Sequence, residues 1–348
     1  MSALPNSHEV LLKNQNLLRG RLAIIGMVDP ALLPRLPDRG LTISEHFGNY
    51  QQLLAVSGWT AAFGYDAPEL SSGMADTLVV FLPKARVELS VRLELALWLA
   101  AEGARLVLVG EKKEGIAGAV KQLKELAPQA SKADSARHCQ VWQADSLPRR
   151  PVFDLQRWLQ WHPVECEGVG FRMAGLPGIF SDGELDDGTA MLLQTLADSP
   201  LGKGPVLDFA CGAGVIGTWL QLHQRTAEQG VFPVDGVDVQ FQAVACARAT
   251  YREAGVDGLI HASDGLSGVD GRYAAVVTNP PFHTGIRTDT SMTERFLQGV
   301  AKHLEPGGEL RLVANTFLPY EALIRRHVGP VKTIAGDRRF TVWSARRH

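Results

Sequence analysis

Short apolar runs rich in β-branched residues alternate along this chain with longer stretches whose apolar positions recur at helical spacing. In the first half, residues 21–28 (RLAIIGMV), 77–82 (TLVVFL) and 104–109 (ARLVLV) predict buried strands. A turn through Pro30, Pro34 and Pro37 follows the first of them. Leu89, Leu93, Leu97 and Trp98 place a helix over 88–101, and a second helix is expected over 116–126 after the charged loop EKKEG. Strand, helix, strand, helix implies a parallel sheet with helices on its faces. The pattern loosens over 128–144, and three prolines between 148 and 163 place a domain boundary near residue 160. Residues 168–188 are glycine-rich and read as irregular structure with room for one hairpin.

Beyond that point the pattern becomes dense. Strands are expected at 205–209, 233–239, 258–262, 274–278 and 309–314, and helices at 190–197, 215–224, 241–254, 290–304 and 321–327. Two last strands, 331–335 and 340–344, predict an antiparallel edge on a doubly wound α/β sheet. The halves echo each other. GARLVLVGEKKEGIAGAVKQL and GELRLVANTFLPYEALIRRH are each a strand opened by glycine, a polar loop and a helix, and each is preceded by a strand ending in proline. The expected architecture is two tandem Rossmann-like domains, residues 1–160 and 161–348. The first has a single glycine after its opening strand and Leu82-Pro83-Lys84 where the second has Asn279-Pro280-Pro281-Phe282. That copy keeps the fold and loses the site.

A length of 348 residues suits two domains, and 45% hydrophobic with 21% charged residues is the balance of an ordinary globular protein. No apolar run has membrane-spanning length and the first twenty residues lack a secretory pattern, so a cytoplasmic protein with no membrane partner is expected. Cys139, Cys166, Cys211 and Cys246 are widely spaced, without CxxC or a Cys/His cluster; free thiols are expected, and no metal site. A net charge of −2 argues against non-specific gripping of naked duplex nucleic acid. RNA binding would have to rest on a local patch or on a shape presented by a larger particle. Lys84, Arg86, Lys112, Lys113, Lys132, Arg137 and His138 are the phosphate-contact candidates of the first half, although such a cluster is more often a solvated face.

The chemistry concentrates at four strand ends of the second half. Val206-Leu207-Asp208-Phe209-Ala210-Cys211-Gly212-Ala213-Gly214 is a strand running into a glycine turn, where a ligand can approach backbone. With Gly217 it also reads GxGxxG, a dinucleotide fingerprint. A nicotinamide site needs no acid inside this strand, whereas Asp208 would meet a cationic group such as the ammonium of S-adenosylmethionine (SAM). Asp238, ending the second strand, suits ribose hydroxyls in either cofactor, or a helix N-cap. Asp264 suits an adenine amino group, or a turn before Gly265. At the fourth strand end, two prolines stop the ladder and present one amide, a backbone short of donors and one ring. Such a set suits a planar molecule bearing an amino group. In that reading Asn279 and the Pro280 carbonyl accept the two N–H bonds, Phe282 stacks, and His283 adjoins the target or is merely solvated.

Together, DFACGAG, the acids after the second and third strands, and NPPF resemble a class I SAM-dependent methyltransferase acting on a planar amino nitrogen. Over nearly the whole chain the closer resemblance is to the ribosomal RNA small subunit methyltransferase C family. It is carried by VGEKKEGIAGA (109–119), SKADSARHC (131–139), GLPGIFSDGELDDGT (175–189), NPPFHTG (279–285) and GGELRLVANTFLP (307–319). The resemblance implies guanine-N2 methylation of 16S rRNA with SAM as methyl donor, an inactive N-terminal copy that recognises RNA, the assembled small subunit as substrate, and a monomer. Two departures stand out: Ala210 where a glycine is expected before Cys211, and Ser181-Asp182-Gly183 without a basic residue after the serine. The local motif leaves an adenine N6 or a glutamine amide open as acceptor. A non-catalytic RNA-binding assembly factor is the alternative outside enzymes.

Overall fold

The computed structural model describes residues 3–36, 39–179, 183–227, 230–280 and 290–348. The chain divides into two compact units, Met1–Trp158 and Leu159–His348.

The first unit runs α1 (Asn6–Lys13), β1 (Leu22–Ile25), β2 (Gly40–Ser44), α2 (Phe47–Leu53), β3 (Thr60–Phe63), β4 (Ala75–Phe81), α3 (Arg86–Leu99), β5 (Ala100–Glu111), α4 (Ile116–Leu126), β6 (Ser131–Ala136) and β7 (Cys139–Ala144). Its seven-stranded sheet has the order β3-β2-β1-β4-β5-β7-β6. The first five strands are parallel, and β7 joins β5 antiparallel, with Glu111 opposite Cys139. The hairpin β6–β7 occupies the stretch whose pattern loosens. β6 lies at the sheet edge with most of its residues exposed and its register broken between Lys132 and Asp134, so no apolar alternation marks it. The short strands β2 and β3 and the helices α1 and α2 were likewise not expected from the pattern.

The second unit opens with a two-stranded antiparallel sheet, β8 (Gln160–Cys166) and β9 (Val169–Gly175). Pro163 sits inside β8, which two-stranded pairing tolerates. The proline-rich boundary stretch and the glycine-rich stretch after it therefore contribute one strand each. Then follow α5 (Asp187–Asp198), β10 (Val206–Phe209), α6 (Val215–Thr226), β11 (Val234–Asp238), α7 (Phe241–Ala254), β12 (Ile260–Ala262), β13 (Tyr273–Thr278), α8 (Thr290–His303), β14 (Leu304–Asn315), α9 (Tyr320–His327), β15 (Val331–Gly336) and β16 (Phe340–Arg346). The sheet order is β12-β11-β10-β13-β14-β16-β15, strand for strand the order of the first unit. The echo between the halves is a repeated fold.

Alternation along the central strands fills both faces. Leu207, Val276, Leu310 and Leu312 pack with Phe296, Leu297, Val300 and Ile324 of α8 and α9. Val206, Ala275, Val277 and Val313 pack on the other face with Leu192, Leu196, Ile216 and Trp219 of α5 and α6. A strand buried on both faces has no polar side to show, which is why β13 reads as a nearly continuous apolar run and β10 as one interrupted only by Asp208.

Candidate active site at the carboxyl edge of the second sheet

Strand order reverses at β10, which lies between β11 and β13, with Phe209 opposite both Val237 and Thr278. Loops leaving neighbouring strands in opposite directions open a crevice at their carboxyl ends. Asp238 pairs with Ala262, so the ends of β10, β11, β12 and β13 come out at one edge. Thr278 Oγ1 donates to the Phe209 carbonyl at 2.7 Å and ties the last residue of β13 to that of β10.

The turn after β10 is built from left-handed residues: Ala210 at φ 57°, Gly212 at 53° and Gly214 at 77°. A Cβ on Gly212 would meet nothing within 4 Å, so this glycine faces open space. Gly214 and Gly217 face the other way. Their Cβ atoms would strike Ala247 and Tyr251 of α7, at 3.1 Å and 1.8 Å for the nearest atoms. Gly214 and Gly217 thus set helix packing, and Gly212 is the glycine with room for a ligand. Ala210 pays a left-handed penalty that the expected glycine would avoid, about 1–2 kcal/mol against the roughly 0.5–1 kcal/mol that glycine loses in chain entropy. Ala210→Gly is expected to raise stability by about 0.5–1 kcal/mol, read as a higher denaturant midpoint at unchanged slope.

Asp208 is fully buried. Its Oδ2 accepts the Gly217 N–H at 3.2 Å, and its Oδ1 has no hydrogen-bond partner. Burial pushes the carboxyl up to about 8, with the Gly217 N–H pulling it down and Asp238 adding to the rise. A value raised on folding means the folded chain holds the proton more tightly. The stability this contributes is full below the ordinary carboxyl value of 3.8 and is lost as pH rises through about 8. Thermal melts across that window are expected to fall more steeply for the wild type than for Asp208→Asn, which keeps an acceptor for Gly217 but cannot ionise.

Asp238 Oδ2 accepts the Gly212 N–H at 3.0 Å and Oδ1 accepts the Gln240 N–H at 2.9 Å, joining the end of β11 to the glycine turn. The N-cap of α7 is Gln240 rather than Asp238. Asp264 is exposed, and the turn after β12 is organised by its neighbour: Ser263 Oγ donates to the Gly265 carbonyl and accepts the Gly268 N–H, both at 2.9 Å. Asn279 is part-buried and Pro280 buried. Asn279 Nδ2 donates to Asp186 Oδ2 at 2.8 Å and to Thr189 Oγ1 at 2.9 Å. Asp186 and Thr189 were not expected from the sequence as site residues. Their signal was a helix-start spacing in LDDGT that only the fold connects to Asn279. Phe282 and His283 lie outside the described residues.

The corresponding edge of the first unit is filled. Gly26, at φ 77° after β1, could not carry a Cβ without lying 2.1 Å from Arg92 Nη1. That guanidinium contacts Glu45 and Glu88 at 2.9 Å each and donates to the Phe81 carbonyl at 2.7 Å. Tyr65 Oη donates to Glu45 at 2.8 Å. Glu45 directly follows β2, whereas Asp238 is the last residue of β11, and Tyr65 follows β3. Lys84 is exposed between β4 and α3, Arg86 is exposed as the first residue of α3, Lys112 is exposed after β5, and Arg137 is exposed at the β6–β7 turn. All four lie at this sheet's carboxyl end.

All four cysteines are free, and burial pushes the Cys211 thiol well above its ordinary value. Among the described residues no group of three or more His, Cys, Asp or Glu side chains is placed to hold a metal ion, and no helix is long and apolar enough to cross a membrane.

Residues 170–344 match the methyltransferase small domain, and residues 8–162 match the methyltransferase small domain N-terminal family. A ribosomal RNA small subunit methyltransferase C of Pseudomonas aeruginosa (strain LESB58) is 41% identical over 341 residues, covering 97% of this chain and 98% of the relative. The protein of that name from Hahella chejuensis (strain KCTC 2396) is 36% identical over 353 residues and covers both chains completely. The chain belongs to the ribosomal RNA small subunit methyltransferase C family. In fold it is also similar to the T. thermophilus 16S rRNA N2 G1207 methyltransferase (RsmC) in complex with AdoMet and guanosine. That likeness has a TM-score of 0.82 at 23% identity, over 99% of this chain and 92% of the other. In family terms, the second unit corresponds to the methyltransferase small domain and the first to its N-terminal companion.

Proposed function

We propose that this protein transfers a methyl group from SAM to the exocyclic N2 of a guanine in 16S rRNA, within the assembled small subunit. The observation that carries the proposal is the Asn279 amide beside the glycine turn, its nitrogen engaged by Asp186 and Thr189. The names of its full-length relatives supply the substrate class.

The residues at this edge fit SAM. The unpartnered Asp208 Oδ1 suits the ammonium of the amino-acid moiety, Gly212 leaves room beside the backbone, and Asp238, at the end of β11 and bonded to the Gly212 N–H, is the carboxylate placed for ribose hydroxyls. Asp264 has its carboxylate exposed for an adenine amino group. Bound there, SAM supplies an electrophilic methyl group on a sulfonium centre. The protein's own task is orientation. Guanine's amino lone pair is delocalised into the ring; Asn279 Oδ1 and the Pro280 carbonyl accept its two N–H bonds and favour a tetrahedral nitrogen whose lone pair is free. No strong base is needed for this step, and positioning carries most of the rate. From the sequence, Phe282 is the stacking ring for the extruded base, a contact worth about 1–3 kcal/mol, and His283 its neighbour.

Lys84, Arg86, Lys112 and Arg137 of the first unit are the proposed phosphate contacts. A net charge of −2 favours a substrate that offers shape as well as charge, which fits the subunit better than free RNA. A cytoplasmic monomer completes the proposal. Small subunits and naked rRNA, each incubated with labelled SAM and digested to nucleosides, test it. N2-methylguanosine from subunits is the expected product. Label in N6-methyladenosine, or in protein alone, overturns it.

A further inference from the structure

We infer that Asp186 and Thr189 are positioning residues that fix which end of the Asn279 amide faces the substrate. The inference rests on the methyl-transfer reading above and adds to it a determinant of substrate class.

An asparagine amide presents a donor at one end and an acceptor at the other, and the two ends are nearly equal in shape. A site that must accept N–H bonds from an amino group works only with the oxygen forward. Asp186 is the N-cap of α5, and its Oδ2 accepts the Thr189 N–H at 2.9 Å. The same Oδ2 accepts Asn279 Nδ2 at 2.8 Å, and Thr189 Oγ1 accepts it at 2.9 Å. An ionised carboxylate can only accept, so turning the amide over would set two oxygens against each other. The nitrogen is held towards α5 and Oδ1 is left for the crevice. A charge-assisted bond on the nitrogen also polarises the amide and makes its oxygen a better acceptor.

The helix that carries this lock is itself held at its far end. Buried Arg311 donates through Nη1 to the carbonyls of Thr195 at 2.9 Å and Ser199 at 2.7 Å, capping the last turn of α5 from strand β14. Glu309, also buried, accepts from Arg311 Nε at 2.8 Å. The orientation of one amide is thus referred through α5 to the sheet from which Asn279 emerges. An oxygen fixed forward selects acceptor substrates with an N–H to give, and disfavours a carbonyl or bare ring nitrogen at that position.

The test uses the full-length protein acting on small subunits. Asp186→Ser keeps a good helix cap on a side chain too short to reach Asn279, and Thr189→Val removes the hydroxyl while leaving the capped amide. Each is expected to lower kcat about tenfold, as loss of one such hydrogen bond does, with KM for subunits, SAM affinity and melting temperature close to wild type. Placed on an Asn279→Ala background, both changes are expected to have no further effect, since they act through that amide. Asp186→Asn, whose own carbonyl can accept from Asn279, is expected to recover part of the loss. Wild-type kcat in the Asp186→Ser/Thr189→Val double variant overturns the positioning role alone, as does an equal loss on the Asn279→Ala background. Failure of the wild type to methylate guanine in the same assay overturns the functional reading, and this inference with it.

Discussion

Asn279→Ala is expected to lower the turnover of methyl transfer about a hundredfold, the scale on which one preorganised hydrogen-bonding group contributes to a transition state. Binding of SAM is expected to survive. The groups proposed for it, Asp208, Gly212, Asp238 and Asp264, lie on β10, β11 and β12 or in the turns that follow them, not at the end of β13. The fold is expected to survive as well. Thr278 still donates to the Phe209 carbonyl, and Asp186 still caps α5 through the Thr189 N–H. A split is therefore predicted, with kcat falling and the calorimetric affinity for SAM unchanged. A loss confined to KM for subunits would make Asn279 an anchor for RNA and not an acceptor in the reacting geometry. Unchanged turnover would remove it from the chemistry.

The parts of this architecture that the sequence displays are those where burial is symmetric. β10 and β13 are covered on both faces, so Tyr273–Thr278 stands out as a nearly unbroken apolar run and Val206–Phe209 as one interrupted only by Asp208. β6 is exposed at an edge, and β8 contains Pro163; neither has a pattern that separates it from a loop. The acids at the strand ends were visible because a charged residue closing an apolar run is conspicuous. What each acid does was less so. Asp208 is buried and engages Gly217, while Gly214 packs against α7 in place of facing a ligand. Least legible were contacts between residues far apart in the chain. Asp186 and Thr189 lie 93 and 90 positions before Asn279, and nothing local in LDDGT points to an amide on another strand. Arg92 and its partners Glu45, Tyr65 and Glu88 likewise come from three separate segments. The sequence shows that the first unit lacks a glycine turn and an NPPF motif, but not that an ion cluster stands in the vacated place.

Arg92→Met is expected to destabilise the first unit by about 3–5 kcal/mol, the usual cost of removing one partner from a buried ion pair. Arg92, Glu45 and Glu88 are only 7%, 8% and 9% exposed, so water cannot replace the guanidinium. Burial already raises the Glu88 carboxyl above its ordinary value, with Arg92 opposing that shift and Glu45 adding to it. Removing Arg92 takes away the opposing charge and raises the Glu88 carboxyl further. Groups whose values rise on folding give their stability below the ordinary carboxyl range and lose it as pH increases. The deficit of Arg92→Met should therefore be small in acid and grow towards and above neutrality, which denaturant titrations of the full-length protein at a series of pH values would measure. Neutralising the partners at the same time, in Arg92→Met/Glu45→Gln/Glu88→Gln, is expected to recover most of the loss and flatten the pH dependence, because no buried charge is then left unpaired. A pH-independent loss in Arg92→Met that the triple variant does not repair would assign the effect to packing around Gly26, where the Arg92 side chain fills space, and not to charge.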